Sequence, residues 1–306
     1  MQIIEKTSLD KQGFKGIYYK AKNASNKTII VIIGDEANDI MNKACAKYLI
    51  NYVNVLSIGI KQNKHDNGLV SFKLEFIEKA INYLKDHNQK IGILGVSMQS
   101  SIALVSASMF NDISLVIGIS PNDFVSWGFV QGTLDKYKHA EWPSYTSSLS
   151  YKGRDLAYHH INLSKHEYYK MYLDAKDQYH EMHSKVVFDY AEQVNPIEEE
   201  AFIKLEKAKA KVILVASSDD SMWDSVKYVK RLKTRLETYN YAYPFKSYIY
   251  EYGTHLLFPQ RMMKAMLPIF YNSITKLYVS GRKHAHECTK TRLNFDDELS
   301  REIQSW

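Results

Sequence analysis

Lys90-Ile-Gly-Ile-Leu-Gly95-Val-Ser97-Met98-Gln99-Ser-Ser-Ile-Ala-Leu104 is the stretch on which the fold turns. A short run of β-branched and other apolar residues ends at Gly95-Val96-Ser97 and gives way to an apolar segment that continues as a helix. A serine at such a strand-to-helix turn is lifted above the sheet, and the next backbone N–H, here that of Met98, is left free to meet an oxyanion. The usual pattern of this turn, G-x-S-x-G, has a second glycine where strand and helix approach closely. That position is Gln99 in this chain, so some distortion of the turn is expected.

Outward from this stretch, short β-rich runs alternate with helical patterns. The runs are Lys27 to Gly34, Val53 to Ile60, Lys90 to Val96, Ile113 to Ser120, Lys211 to Ser217 and Phe245 to Tyr252. Such alternation predicts an α/β fold, a mainly parallel sheet flanked by crossover helices. Phe72, Phe76, Ile77, Ala80, Ile81 and Leu84 recur at helical spacing, which gives one apolar face to lay on that sheet. Phe14 to Lys22 reads as a further strand, antiparallel at the sheet edge. From about residue 122 to residue 206 the strand rhythm stops. This stretch is rich in Tyr and Trp and contains a strongly helical part, Ser164 to Gln193. It reads as an aromatic-rich, lid-like helical insertion within a single domain spanning 1–306. Its aromatics either pack the insertion on the core or wall an acyl site, with Trp127 and Trp142 as the candidates for substrate contact.

Composition excludes several classes of function. A chain of 306 residues with 45% hydrophobic content can bury a large core. Its apolar runs are too short to cross a bilayer, and Met1 to Gln12 has no secretory pattern, so a cytoplasmic protein is expected. Cys45 and Cys288 are too few for a disulfide framework. The net charge of +6 comes from lysines interleaved with acids, and no motif supports nucleic-acid binding. No phosphate loop or dinucleotide fingerprint is present. His180-Glu181-Met182-His183 lacks the gap of a zinc-protease motif and reads as a solvated helix surface. His284, His286 and Cys288 alternate at spacing two, and only His284 and Cys288 could share a helix face, so neither metal nor organic cofactor is expected.

A serine hydroxyl attacks well only when a base takes its proton and a third group orients that base. The run Lys211-Val-Ile-Leu-Val-Ala-Ser217 ends in Asp219-Asp220, at the end of a sheet strand where open α/β folds place catalytic side chains. Asp220 is the preferred acid. Phe245 to Tyr252 then leads through Gly253-Thr254 to His255, the candidate general base. The plainer reading of each residue is a helix-capping serine, a helix-capping aspartate and a packed histidine. Three such residues at the ends of successive strands, in the order Ser, Asp, His, point instead to a triad. Oxyanion donors are expected from Met98 N–H and from the loop after the first parallel strand, at Asp35 or Glu36, whose carboxylates must then turn outward.

At these residues the chain resembles the C-terminal catalytic domain shared by acyl-CoA thioesterases and bile acid-CoA:amino acid N-acyltransferases. Beyond the triad, the likeness extends to Ser120-Pro121 with the following Trp127 and Gly128, to Ser147-Ser148 with Tyr151-Lys152-Gly153, to the Asp220 run through Trp223, and to Glu251 through Pro259. The chain departs from the family pattern at Gln99, at Asp224 and in the loop Gly34-Asp35-Glu36. The resemblance implies an α/β-hydrolase fold with Ser97, Asp220 and His255 as nucleophile, acid and base. It also implies hydrolysis of an acyl thioester or carboxylic ester through an acyl-serine. Serine at position 97 resembles the thioesterase branch. Two alternatives stay open: a catalytically silent member that binds an acyl ligand or a protein partner, and transfer of the acyl group to an amine or alcohol. The oligomeric state has no signature in the sequence.

Overall fold

The computed structural model describes residues 1–87, 89–134, 137–269 and 271–306, without the side chains of 132–142. The strands are Ile3–Thr7 (β1), Gly16–Tyr19 (β2), Lys27–Ile32 (β3), Asn54–Ile58 (β4), Phe72–Lys73 (β5), Lys90–Val96 (β6), Ile113–Ile119 (β7), Trp127–Leu134 (β8), Tyr137–Ser147 (β9), Leu149–Tyr151 (β10), Arg154–Asp155 (β11), Lys211–Ser217 (β12) and Phe245–Tyr250 (β13). The helices are Ile40–Leu49 (α1), Glu75–Asp86 (α2), Met98–Met109 (α3), Lys165–Tyr179 (α4), Lys185–Val194 (α5), Ser225–Thr238 (α6), Gln260–Met266 (α7), Val279–Lys283 (α8) and Ala285–Gln304 (α9).

Eight strands form one sheet in the order β1-β2-β4-β3-β6-β7-β12-β13. All pairs from β4 to β13 are parallel, and β2 joins β4 antiparallel. The near-continuous apolar runs of the central strands follow from burial on both faces. Ile30 and Ile32 point to the side covered by Ile77 and Ile81 of α2, Ile102 and Leu104 of α3, and Leu232 of α6. Their neighbours Ile29 and Val31 point to the other side, against Leu49 of α1, Met262 and Met263 of α7, and Phe295 and Leu299 of α9. Each such side chain removed from water stabilises the fold by roughly 1.5–3 kcal/mol. The helical spacing read from Phe76 to Leu84 is the buried face of α2.

Two features differ from the sequence expectation. The antiparallel strand is present as β2, but the edge position belongs to β1, which pairs outside it. The pattern of β1 hides it, because Ile3 and Ile4 are both largely exposed and give no alternation of buried and solvated sides. Between β7 and β12, the expected helices α4 and α5 are preceded by an antiparallel hairpin of β8 and β9. The helical stretch is also broken where His180 adopts the left-handed region (φ 55°). The segment His180 to His183 is therefore not a solvated helix surface. The Glu181 carboxylate accepts the N–H of Val279, Met182 carbonyl accepts the Ser221 hydroxyl at 2.9 Å, and Arg282 donates to the His180 carbonyl at 2.7 Å.

Charge pairs fasten the outer layers to the sheet. Arg231 of α6 grips Asp123 through two hydrogen bonds (2.6 and 2.7 Å) and also reaches Glu192 of α5. Burial pushes the Asp123 carboxyl up to about 6, with Arg231 opposing that rise. On the other layer, Glu302 of α9 meets Lys211 of β12 at 2.6 Å and accepts the Tyr248 hydroxyl of β13 at 2.9 Å. Burial acts to raise the Glu302 carboxyl, but hydrogen bonds from Lys211, Lys246 and Tyr248 outweigh it and hold the group at about 2. Because the folded value lies below the model value of 4.5, the contribution is fully present above about pH 4.5 and is lost as pH falls toward 2. Glu302→Gln is expected to cost on the order of 2 kcal/mol at pH 7, discounted for the exposure of Lys246. Urea unfolding of both proteins from pH 7 to pH 3 should show that gap narrow once pH drops below 4.5.

Candidate active site

The C-terminal ends of β6, β7, β12 and β13 converge, and each delivers one residue to the same place. Ser97, directly after β6, has φ 56° and ψ −134°, a conformation unusual for a residue with a Cβ. Its N–H donates to the Ile119 carbonyl at the end of β7 (2.9 Å), which anchors the turn to the sheet. Gly95 makes the turn possible. A Cβ there would lie 2.3 Å from the Gln99 carbonyl oxygen and 2.7 Å from Ser100 Cα, so strand and helix touch through the missing side chain. Gln99 is half-buried and does not prevent α3 from starting at Met98.

His255 follows β13 after a two-residue turn and is nearly fully buried, as is Asp220. The His255 Nε2 atom lies 2.8 Å from Ser97 Oγ, and its Nδ1 lies 2.9 and 3.0 Å from the two carboxylate oxygens of Asp220. An ionised carboxylate only accepts, so Nδ1–H donates to Asp220, and the Nε2 lone pair faces the serine hydroxyl. Asp220 is itself held by the N–H groups of Met222 (2.9 Å) and Trp223 (3.4 Å). Its neighbour Asp219 turns the other way, to the N–H groups of Gly253 and Thr254. The helix cap that the aspartate pair also suggested is made by Asp224, which accepts Lys227 N–H at 2.9 Å. Tyr278 stands close enough to Asp220 that burial, and then that carboxylate, push its phenol up.

Two residues not read from the sequence complete the support. Ser120, at the end of β7 with φ 45°, donates its hydroxyl to the His255 carbonyl at 2.8 Å. Trp223 donates its indole N–H to the Ser120 carbonyl at 3.2 Å and sets its ring edge-on to His255, with centroids 4.9 Å apart. A serine closing an apolar strand carries no mark of this role. Trp223 could be found only by its nearness to Asp220 in the sequence.

The expected oxyanion donors fare unequally. Met98 N–H lies in the first turn of α3, where backbone donors lack an intrahelical partner. Glu36 is exposed, and its N–H is already given to Asp39 Oδ2 at 3.2 Å, so it is not free for an oxyanion. Asp39 reaches that position because Gly34 has no side chain: a Cβ there would lie 1.8 Å from Asp39 Oδ2. The Asp35 carboxylate is compensated by Lys61 at 2.7 Å and by Gln131 Nε2 at 3.1 Å.

Trp127 is fully buried. Its ring stacks on Phe188 (5.1 Å), Phe188 meets Trp223 edge-on (5.2 Å), and Trp223 meets His255. In this conformation Trp127 presents no surface to a substrate, because the segment after β7 folds its aromatics inward into a cluster with Phe124, Phe129 and Tyr228. The Trp142 side chain lies outside the described residues. His284 stacks on Tyr252, Cys288 is buried, and among the described residues no three His, Cys, Asp or Glu side chains gather as a metal site. Among the described residues no helix is long and apolar enough to cross a membrane.

Strand order, covering helices and strained serine turn define the fold as that of the α/β-hydrolases. A crystal structure of an esterase double mutant superposes with a TM-score of 0.50 at 11% identity, covering 94% of this chain and 84% of that one. An esterase from Pyrococcus furiosus gives 0.49 at 13% identity, with 90% and 89% covered. Residues 72–262, more than half of the chain, match the model of the BAAT / acyl-CoA thioester hydrolase C-terminal family, and the protein belongs to that family of esterase- and thioesterase-type hydrolases. Among curated proteins, the peroxisomal succinyl-coenzyme A thioesterase of Mus musculus is 25% identical over 176 residues, which is 56% of this chain. The aligned part is 35% of the length of that relative.

The aromatic chain makes Trp127 a packing residue. Trp127→Ala is expected to destabilise the protein by about 3–5 kcal/mol, measured by urea unfolding. A substrate-facing Trp127 would instead leave stability nearly unchanged.

Proposed function

We propose that this protein is a serine-dependent hydrolase of an acyl thioester, of the acyl-CoA type, or of a carboxylic ester. The observation that carries the reading is the continuous hydrogen-bond line from Ser97 Oγ through His255 to Asp220. In this mechanism Ser97 Oγ attacks the acyl carbonyl while His255 Nε2 takes its proton. His255 then gives the proton to the leaving thiolate or alkoxide, and an acyl-serine remains. Water, deprotonated by His255, releases the acid and frees the serine. Asp220 keeps Nδ1 protonated and stabilises the imidazolium. The N–H groups of Met98 and Asp35 are the donors to the developing oxyanion, and Lys61 offsets the charge that Asp35 brings near it. The segment 122–206 serves as a lid over one domain, joined to the base through Phe188 and Trp223. No step calls for a metal or an organic cofactor.

Family membership supports the thioester class, as does the printed activity of the mouse relative, which concerns a much longer protein. One observation favours a second reading. With Glu36 N–H committed to Asp39, the oxyanion site has one fewer donor than expected, as in a protein that binds an acyl ligand without turning it over.

Fluorophosphonate labelling, mapped to the modified residue, separates the two. Labelling at Ser97 that disappears in Ser97→Ala and His255→Ala is expected, together with a loss of about a thousandfold or more in hydrolysis of acyl-CoA or p-nitrophenyl esters. Turnover that survives Ser97→Ala would end the reading. A folded protein that is stabilised by acyl ligands yet unlabelled would establish the second. Product analysis with and without glycine or taurine distinguishes hydrolysis from acyl transfer.

A further inference from the structure

His255 sits on a turn that is strained in its own right. Thr254, just before it, is β-branched, fully buried, and at φ 61° in the left-handed region, a conformation that costs on the order of 1–3 kcal/mol and persists only where the surroundings enforce it. The enforcing group is the carboxylate next to the triad acid. Asp219 Oδ1 accepts the N–H of Thr254 at 2.7 Å and that of Gly253 at 3.0 Å, and Oδ2 lies 3.2 Å from the same Gly253 N–H. The hydroxyls of Ser217 and Ser280 donate to the two oxygens from either side. Gly253 allows this packing, since a Cβ there would meet Leu257 Cδ1 at 2.8 Å and Ser217 Oγ at 2.9 Å. Four donors from three separate parts of the chain thus converge on one half-buried side chain that touches no triad atom.

We propose that Asp219 is a positioning residue: it clamps the backbone of residues 253 and 254 so that the His255 ring meets Ser97 and Asp220 together, and Ser280 locks the clamp from outside. The proposal rests on the reading of His255 as general base. Adjacent aspartates then divide the work, with Asp220 holding the imidazole and Asp219 holding the turn that carries it. Ser280 belongs to α8, beyond residues 72–262 that match the family, so a C-terminal element outside that region takes part in setting the site. A misplacement of the ring by about 1 Å lowers turnover by on the order of 100-fold without a comparable change in binding.

The test compares Asp219→Ala, Asp219→Asn and Ser280→Ala in the full chain, using p-nitrophenyl butyrate and, separately, the downfield proton resonance of His255 Nδ1–H. In Asp219→Ala, kcat should fall on the order of 100-fold with KM within about threefold, and the resonance should be lost to exchange. Asn keeps an acceptor toward the two N–H groups and turns its amide to the Ser280 hydroxyl, so Asp219→Asn should restore kcat to within about threefold and keep the resonance. Ser280→Ala should lower kcat by about threefold to tenfold with KM unchanged. Wild-type kcat and an intact resonance in Asp219→Ala would overturn the proposal, as would an Asp219→Asn that fails as badly as the alanine variant. If Asp219→Ala does not fold, wild-type kcat in Ser280→Ala together with a lost resonance in Asp219→Asn overturns it. A wild-type protein that shows the resonance but no turnover would refute the proposed hydrolysis alone, and the resonance in the variants would still decide the role of Asp219.

Discussion

The backbone of Ser97 is the constraint on which the site depends. A residue with a side chain held at φ 56° must be kept there by its neighbours, and the neighbours are the sheet itself. Its N–H is tied to the end of β7, and the bare Cα of Gly95 lets α3 come down onto β6. Once that turn is fixed, the serine hydroxyl can point only into the space above the strand ends. The groups that meet it there must come from strands on the same side of β6. Those strands are β7, β12 and β13, and they deliver Ser120, Asp220 and His255.

The strain is distributed instead of concentrated. Ser97, Ser120 and Thr254 all lie in the left-handed region, and all three are within one hydrogen bond of the imidazole or part of its turn. Each is held by a side-chain or backbone bond to another strand end. The ring cannot relax by shifting one residue, because every local relaxation breaks a bond to a different strand. Such over-determination is how a rigid sheet fixes a small constellation of side chains to within the tolerance that proton transfer requires.

The central sheet was legible because its strands are buried on both faces, which forces long apolar runs with sharp ends at Lys90, Val96, Lys211 and Ser217. The three residues that meet in one hydrogen-bond line were legible for the same reason, since each follows such a run. What failed to show was structure whose cause is tertiary. The exposed isoleucines of β1 have no pattern, the hairpin of β8 and β9 is stabilised by aromatics that sequence alone could place equally in a packed core or at a pocket, and His180 to His183 is a joint only because α8 and the Asp220 loop lie against it. Gln99 caused expectations of distortion that the turn absorbs, because the close approach is made by Gly95 against the backbone of Gln99, and the glutamine side chain leaves it undisturbed.

The segment between β7 and β12 begins and ends at strands that are hydrogen-bonded neighbours, with Ser120 N–H donating to the Val215 carbonyl at 2.8 Å. Its two ends are therefore stitched together by the sheet whatever lies between them. For a chain closed in this way the entropic cost grows only with the logarithm of its length, about 0.6 kcal/mol for each doubling. The catalytic end of the sheet can thus carry a short connection or a long one at nearly the same stability, so what stands over the serine can be replaced in evolution without renegotiating the fold beneath it.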